Sequence, residues 1–423
     1  MELSCAENLK FSFDNNVVER TNKQPNQTVN PNVTTIDVDI PLAVNECVIT
    51  EEIHLEENDT LTISNPSNEV VTSLQLSGRA SLKRIPDTIF ETFPYLNELH
   101  LVFSGIETLA AEDFVNATNL NSLHIEQNNV TILGASIFTR ANNLKTIRLP
   151  SNNIVEIDEL TFDGLTDLQY LHLQQNNLTQ VKNGTFTRAS SLREIYLNDN
   201  QIDTLADGVF DLVNLTKIFL QRNKLKVLSN GLFGTGGSLQ TADFSSNHLT
   251  TIGEVFEQCK NLHSLALNDN QILSVNWLDV AKMKSLLILS LENNGLKFPT
   301  VVDDSYEDDD DKVSVSRLQY LNLGQNQLYH SDVLKHLAIF RRLQVLDLSD
   351  NQYIIVDDVK NIKRIFPSFF QLNVANNILN CKWVEDTLPF VRKQKIILNT
   401  GKVIDPTSQK LIEDVACSPN KNE

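Results

Sequence analysis

The chain has 423 residues, and its 54 acidic against 35 basic side chains give a formal net charge of −19. This acidic balance argues against binding to nucleic acid or to anionic membranes, because both attract basic surfaces. The sequence has no run of about 18 apolar residues, so it predicts no transmembrane segment.

Residues 1–70 predict an N-terminal cap ahead of a regular array. Within Ile36–Ile40, apolar residues alternate with aspartates, which is typical of a half-buried strand. The stretch Thr60–Leu82 indicates two degenerate coils that lead into the array, which we place at residues 71–379.

From Leu96 to Leu379, the pattern L-x-x-L-x-L-x-x-N-x-L recurs about every 24 residues. One copy is filled by Leu120, Leu123, Ile125, Asn128 and Val130. The pattern predicts an α/β leucine-rich-repeat solenoid, a curved horseshoe with a parallel concave β-sheet and about 12 regular repeats after the degenerate coils.

Two further columns recur in step with this repeat. An asparagine at the ninth position can satisfy backbone groups where each coil leaves its strand, and in the first coil Ser104 replaces it. The asparagines are Asn128, Asn152, Asn176, Asn200, Asn223, Asn247, Asn270, Asn294, Asn326, Asn351 and Asn377. A convex column of aromatic rings predicts a buried spine that stops after Phe256, and it contains Phe114, Phe138, Phe162, Phe186, Phe210, Phe233 and Phe256.

The repeat lengthens once, between Leu296 and Leu318. The acidic insertion at residues 300–315 contains the run Asp308–Asp311. Insertions in solenoids form surface loops. Two interpretations stay open here, a solvated acidic loop or a loop that binds a cation or a partner.

Residues 380–423 predict a C-terminal cap. Trp383–Lys393 has the apolar spacing of an amphipathic helix, although Pro389 would kink or break it. Ile396–Leu398 predicts a short strand that follows this helix.

Four of the five cysteines lie in the two predicted caps, where disulfides could close the ends of the solenoid. Solenoid ends expose core residues, and extracellular caps can be closed by disulfides. We therefore predict the pairs Cys5–Cys47 and Cys381–Cys417. Cys259 is left over, as a buried inert thiol or as a bridge between chains.

The sequence favours an extracellular protein. The expected glycosylation sites are Asn26, Asn32, Asn58, Asn116, Asn129, Asn177, Asn183 and Asn214. The chain opens Met-Glu-Leu-Ser-Cys, without the basic and apolar regions of a signal peptide. Either the signal peptide is absent from this sequence or the protein is cytosolic. The cysteines predicted to pair at both ends favour a secreted protein whose signal peptide is absent from this sequence.

The array and its ends resemble known proteins. With its phenylalanine column, the array resembles the typical extracellular class of leucine-rich-repeat proteins. The entry from Val71 through Ile85-Pro86, and the two-cysteine end at Cys381 and Cys417, are similar to insect secreted members, among them the mosquito leucine-rich-repeat immune proteins. The resemblance implies a haemolymph factor that binds and stabilises complement-like thioester proteins. This sequence lacks the C-terminal heptads of that group, so their coiled-coil dimerisation has no matching residues here.

The fifth position of the repeat, between its second and third leucines, points outward on the concave sheet. The residues at this position form the candidate partner-binding column. In its first half this column is aromatic and basic, and tyrosine, arginine and exposed phenylalanine often dominate interfaces. The predicted site comprises His100, His124, Arg148, His172, Tyr196 and Phe219, extended sideways by Tyr170, Lys217 and Arg222. The second half is small and acidic. The alternative is that these positions carry assorted polar residues by drift.

The sequence contains no catalytic or cofactor motif. It has no nucleophile elbow, metalloprotease helix, phosphate loop or dinucleotide fingerprint, so we expect neither an enzyme nor a cofactor. His100 and His124 alone are too few for a structural zinc site, so we expect no metal.

These observations favour a secreted recognition or scaffold protein of innate immunity that binds a protein partner through its concave face. Two alternatives stay open. One is a cell-surface adhesion or receptor ectodomain whose anchor is absent from this sequence. The other is an inhibitor that occludes a protease or nuclease.

Overall fold

The computed structural model describes residues 2–4, 11–12, 33–37, 46–49, 60–64, 70–77, 82–86, 88–297, 316–400, 410–412 and 415–417. The chain forms two compact units, residues 1–215 and 216–423. Each unit is a stack of leucine-rich-repeat coils. The cap and array boundaries at residues 70 and 379 stay predictions.

The first unit is built mainly from short strands. Its helices are α1 (Ile89–Thr92) and a 3-10 helix, Ala111–Phe114. Its strands are β1 (Glu2–Ser4), β2 (Phe11–Ser12), β3 (Val33–Asp37), β4 (Glu46–Ile49), β5 (Thr60–Ser64), β6 (Ser73–Ser77), β7 (Glu98–Val102), β8 (Ser122–His124), β9 (Ile132–Leu133), β10 (Thr146–Arg148), β11 (Glu156–Ile157), β12 (Tyr170–His172), β13 (Gln180–Val181), β14 (Glu194–Tyr196) and β15 (Thr204–Leu205).

The main sheet of this unit is parallel and in register. Strands β4, β6, β7, β8, β10, β12 and β14 pair in that order. At its start, β1 pairs antiparallel with β4 and β2. Away from the main sheet, β3–β5, β9–β11 and β13–β15 form short parallel pairs. Because the repeat is regular, equivalent leucine positions such as Leu123, Ile147 and Leu171 lie side by side and fully buried.

The second unit has strands of the same kind but more helix. Its strands are β16 (Lys217–Phe219), β17 (Thr241–Asp243), β18 (Ser264–Ala266), β19 (Ile288–Ser290), β20 (Tyr320–Asn322), β21 (Val345–Asp347), β22 (Gln371–Asn373), β23 (Ile397–Asn399), β24 (Lys410–Ile412) and β25 (Val415–Cys417). Its helices are α2 (Trp277–Lys282), α3 (Val333–His336), a 3-10 helix (Val359–Asn361), α4 (Ile362–Ile365) and α5 (Cys381–Lys393). Strands β16 to β23 pair in chain order as a parallel sheet, and β24 pairs antiparallel with β25.

The ninth-position asparagines bridge successive coils. The Asn176 Nδ2 donates to the Leu149 carbonyl of the preceding coil at 3.0 Å and to the Leu173 carbonyl of its own coil at 3.1 Å. Its Oδ1 accepts from the Ile154 amide at 3.0 Å. In the first coil, the Ser104 Oγ donates to the Leu76 carbonyl at 3.3 Å. These bonds satisfy buried backbone groups at each turn, as the sequence predicts.

The return side of the coils, opposite the main sheet, differs between the two units. In the first unit, the rings of Phe138, Phe162, Phe186 and Phe210 follow one another at centroid distances of 6.2, 6.0 and 6.0 Å. In the second unit, the column ends with Phe233 and Phe256, 5.7 Å apart. Helix α2 then begins, and its Trp277 packs edge-on against Phe340 at 5.9 Å. The predicted change after Phe256 is therefore a change from stacked rings to short helices.

The C-terminal region forms a helix closed by a disulfide. Helix α5 buries Val384, Leu388 and Val391, as the spacing predicts. Pro389 does not interrupt it, because Pro389 lies on the exposed side where water can replace the missing bond. Cys381 and Cys417 are joined, with their Cα atoms 4.9 Å apart.

Several predicted sites fall outside the described residues or stay untested. The acidic insertion at residues 300–315, Asn26, Asn32, Asn58 and the side chains of the proposed Cys5–Cys47 pair lie outside them. The remaining sequon asparagines are all exposed: Asn116, Asn129, Asn177, Asn183 and Asn214.

Cys259 is buried without a disulfide, and burial raises the pKa of its thiol to about 12. Among the described residues, no helix is long and apolar enough to cross a membrane.

Candidate protein-binding site

The candidate site lies on the sheet face of the first unit, the predicted concave side where strand side chains point away from the core. The leucines that flank each fifth position are buried, so the fifth side chain must point outward. The parallel register places these side chains in one row on β7, β8, β10, β12 and β14: His100, His124, Arg148, His172 and Tyr196. We call this row the ring column.

The rings of the column stack in two pairs. His100 and His124 lie with centroids 4.1 Å apart and planes inclined by 25°. His172 and Tyr196 lie 4.2 Å apart with an inclination of 8°. Adjacent strands are about 4.8 Å apart, so planar side chains in register stack without distortion of the backbone.

Arg148 separates the two ring pairs and is held from both sides. Its Nε donates to the Glu126 carboxylate at 2.7 Å, and its Nη1 lies 3.4 Å from the His172 Nε2. Because a guanidinium only donates, the His172 Nε2 must accept, which places the ring proton on Nδ1. The Nη2 group has no hydrogen-bond partner among the described residues, and the side chain is 31% exposed. It can therefore donate to a ligand.

Two histidines of the column, His124 and His172, are neutral at pH 7. Burial and the neighbouring Arg148 lower the pKa of His172 to about 4. Burial, His100 and Arg148 lower the pKa of His124 to about 4, although Glu126 opposes the shift. Burial also raises the pKa of Glu126, but Arg148 outweighs it and leaves that pKa below its usual value. The description of this column as basic is therefore wrong, because its fixed cation is paired and these two rings are uncharged.

Glutamates tether both ends of the column. The Tyr196 hydroxyl donates to the Glu194 carboxylate at 2.6 Å, and burial together with this bond raises the pKa of Tyr196 to about 12. At the other end, the His100 Nε2 lies 3.5 Å from the Glu98 carboxylate. These contacts fix the ring orientations before any partner arrives.

The other predicted residues fall in two places. Tyr170 lies half-buried on β12, in register with Glu194 of the next strand. Lys217 and Phe219 belong to β16 of the second unit, where Phe219 is in register with Asp243. Arg222 is exposed with a φ of 55°, the left-handed conformation that eighth positions adopt throughout the array. The first unit thus brings together six of the nine predicted residues.

Comparisons with known proteins agree with this architecture. The family described as Leucine rich repeat matches residues 118–178, 142–202, 166–216 and 213–272. The fold is a leucine-rich-repeat solenoid. No curated protein sequence matches the chain significantly.

Solved structures extend the similarity over most of the chain, at identities that show the fold alone. The leucine-rich-repeat domain of mosquito APL1 is 17% identical, with a TM-score of 0.64 over 90% of this chain and 99% of that domain. A chain of the glycosylated Drosophila Toll–Spatzle complex is 20% identical, with a TM-score of 0.64 over 82% of this chain and 48% of that chain. The TLR13–ssRNA13 complex is 19% identical, with a TM-score of 0.59 over 85% of this chain and 60% of that chain. The fold therefore does not decide the class of ligand.

Sequence reasoning missed the glutamates that organise the column. Glu98 and Glu194 occupy the third position of their repeats, and Glu126 occupies the seventh. Side chains at both positions point to the same outward face as the fifth-position side chains. Reading all outward positions together would have found them. Among the described residues, no group of three metal-ligating side chains is close enough to hold an ion.

Proposed function

We propose that the protein is a secreted recognition or scaffold protein of innate immunity that binds a protein partner through the ring column. The observation that carries the proposal is the row of half-exposed stacked rings around Arg148. The leucines on either side supply the core packing, so folding does not require rings at the fifth positions. The immune and secreted roles rest on the resemblance to insect immune proteins and on the shared fold.

The chemistry of the column suits a protein surface. Tyrosine and arginine dominate many interfaces because they offer large contact area together with hydrogen bonds. The rings here are already ordered by stacking and by their glutamates, so binding loses little side-chain entropy. Because His124 and His172 are uncharged and Arg148 is paired, we expect affinity to depend only weakly on salt. The acidic net charge keeps nucleic acid a disfavoured ligand.

The test is a pull-down of partners from haemolymph-like extracellular fluid. Wild-type protein is compared with the column variant Arg148→Ala/His172→Ala/Tyr196→Ala, whose three substitutions all lie in the ring column. A matched control, Tyr95→Ala/Arg188→Ala/Val213→Ala, removes exposed side chains outside the ring column. Circular dichroism of all three proteins checks that they fold alike.

A soluble partner that is recovered by the wild type and the control, but lost by the column variant, supports the proposal. Retention of that partner by the column variant refutes the assignment of the site. If the wild type recovers nothing, the soluble-scaffold function is contradicted and binding to cell surfaces becomes the next measurement. A loss-of-function phenotype confined to neural wiring, with normal immunity, contradicts the immune role.

A further inference from the structure

A different surface lies on the sheet face of the second unit. Three adjacent strands, β19, β20 and β21, carry Ile288, Tyr320 and Val345 at the outward third position, in register. Ile288 is 45% exposed, and the other two are half-buried. The same position holds Thr241 and Ser264 on β17 and β18, so the fold does not require apolar side chains here.

Carboxylates lie beside this apolar strip. Asp347 on β21 and Glu292 just after β19 point outward from the same strands as Val345 and Ile288. Burial raises the pKa of Tyr320, and the nearby negative charges of Asp347 and Glu292 raise it further. That hydroxyl has no hydrogen-bond partner among the described residues. It is a further donor on this surface.

These carboxylates are held in place but not neutralised. The Asp347 Oδ1 accepts from the Ser349 hydroxyl at 2.6 Å, and its Oδ2 accepts from the Asn373 amide at 2.7 Å. Glu292 accepts from the Asn322 amide at 2.8 Å and from the Gln325 amide. All of these donors are uncharged, so these bonds hold both carboxylates in fixed positions without pairing either with a cation.

Among the described residues at the outward positions of this surface, no cation balances its charge. Within the described strands β17 to β22, the outward positions carry no lysine or arginine. Further acids follow in the same coils, at Asp243, Asp269 and Asp350. Asp269 and Asp350 also accept only from serine or asparagine side chains. The surface therefore presents an apolar strip bordered by unpaired negative charge, which is complementary to a partner with apolar and basic side chains.

We infer that the acid–apolar face, formed by Ile288, Tyr320, Val345, Glu292 and Asp347, docks a basic amphipathic helix of a partner protein. A helix advances about 5.4 Å per turn, close to the strand spacing of about 4.8 Å. Successive turns of a helix laid across the strands can each place an apolar side chain on one of the three strip residues. Lysines or arginines on the adjoining helix face then meet Glu292 and Asp347.

The charge argues against the other occupants. Nucleic acid and anionic lipid are repelled by the carboxylates. A second copy of this chain carries the same net charge of −19. This surface belongs to the second unit, and the inference does not depend on the ring column.

The test uses a peptide of leucine and lysine of about 18 residues, or five helical turns, with leucine on one face. Its affinity is measured by fluorescence anisotropy for the wild type, for Ile288→Ser/Val345→Thr and for Glu292→Gln/Asp347→Asn. The first variant places residues found at this position in neighbouring coils, and the second preserves shape and acceptor atoms. The charge-matched control Glu254→Gln/Asp386→Asn removes two acids elsewhere in the second unit.

We expect each face variant to weaken peptide binding by about tenfold, because charged and apolar contacts both contribute. The control should stay within about twofold of the wild type, as expected for remote charges. Equal weakening by the control pair, or unchanged binding by the apolar variant, overturns the proposal in favour of general attraction to an acidic protein. Concentration-dependent dimerisation that Ile288→Ser abolishes would assign the surface to a second copy instead.

Discussion

The sheet faces of the two units differ in chemistry although they share one backbone design. In the first unit, the outward positions hold stacked rings around a paired Arg148. In the second, they hold an apolar strip beside unneutralised carboxylates. The buried leucines and bridging asparagines are alike in both. A solenoid therefore separates folding from recognition, because the inward positions carry stability and the outward positions are free to vary.

The largest expected effect tests the two return sides. Phe186→Ala in the first unit should cost about 4 kcal/mol, because it leaves a gap between Phe162 and Phe210. Val280→Ala in helix α2, where the ring spine has ended, should cost about 2 kcal/mol. Urea unfolding measures both changes. Equal losses would show that the phenylalanine spine gives no special stability to the first unit.

The next effect tests what the units share. Asn176→Ala and Asn326→Ala should each cost about 3 kcal/mol, because each leaves buried backbone groups of two coils without partners. The neighbouring exposed Asn177→Ala is the control and should change stability by less than about 0.5 kcal/mol. A large difference between the two units would contradict a common scaffold.

A smaller effect concerns acid and should be specific to the ring column. His124 and His172 have folded-state pKa values of about 4 against an ordinary value of 6.5. As the pH falls, these histidines take up protons in the unfolded chain before they do so in the folded protein. Their contribution to the free energy of unfolding is therefore fully present above pH 6.5 and is lost as the pH falls towards 4. His172→Gln should reduce this loss in urea unfolding measured across that pH range. The same substitution at exposed His263 is the control, and an equal effect there would contradict the burial argument.

The smallest effect compares two tyrosines. Tyr196→Phe removes the bond to Glu194 and should cost about 0.5–1 kcal/mol, while the stack on His172 remains. Tyr320→Phe removes no described hydrogen bond and should leave stability within about 0.5 kcal/mol. Differential scanning calorimetry can resolve the difference. A larger cost at Tyr320 would mean that its hydroxyl supports the fold and is not kept for a ligand.

Much of the fold could be predicted from the sequence, because each coil repeats the same physical problem. The leucine period predicted the parallel register, and the asparagines predicted the bridges that the structure contains. Helix α5 was harder to predict, since Pro389 argues against a helix. Pro389 lies on the exposed side of the helix, where water can replace the backbone hydrogen bond that proline cannot donate. That exposed position follows only from how the helix packs.

The candidate site was only partly predictable. Its residues follow from strand alternation, but their charge does not. Residues such as Glu126 and Arg148 are 22 positions apart, and no local pattern pairs them. The acid–apolar face was also missed. The sequence analysis considered the fifth position, which is small and acidic in the second unit, whereas the apolar strip lies at the third position.

The sequence by itself determined the coil, its inward and outward positions and the bridges between coils, since these depend on a short repeated pattern. The tertiary structure decided which side chains of different coils meet and how deeply they are buried. Burial and neighbouring charge set the protonation of His124 and His172, and in-register strands placed Ile288, Tyr320 and Val345 side by side. Such properties arise from the summed surroundings of a group, which no single stretch of sequence contains.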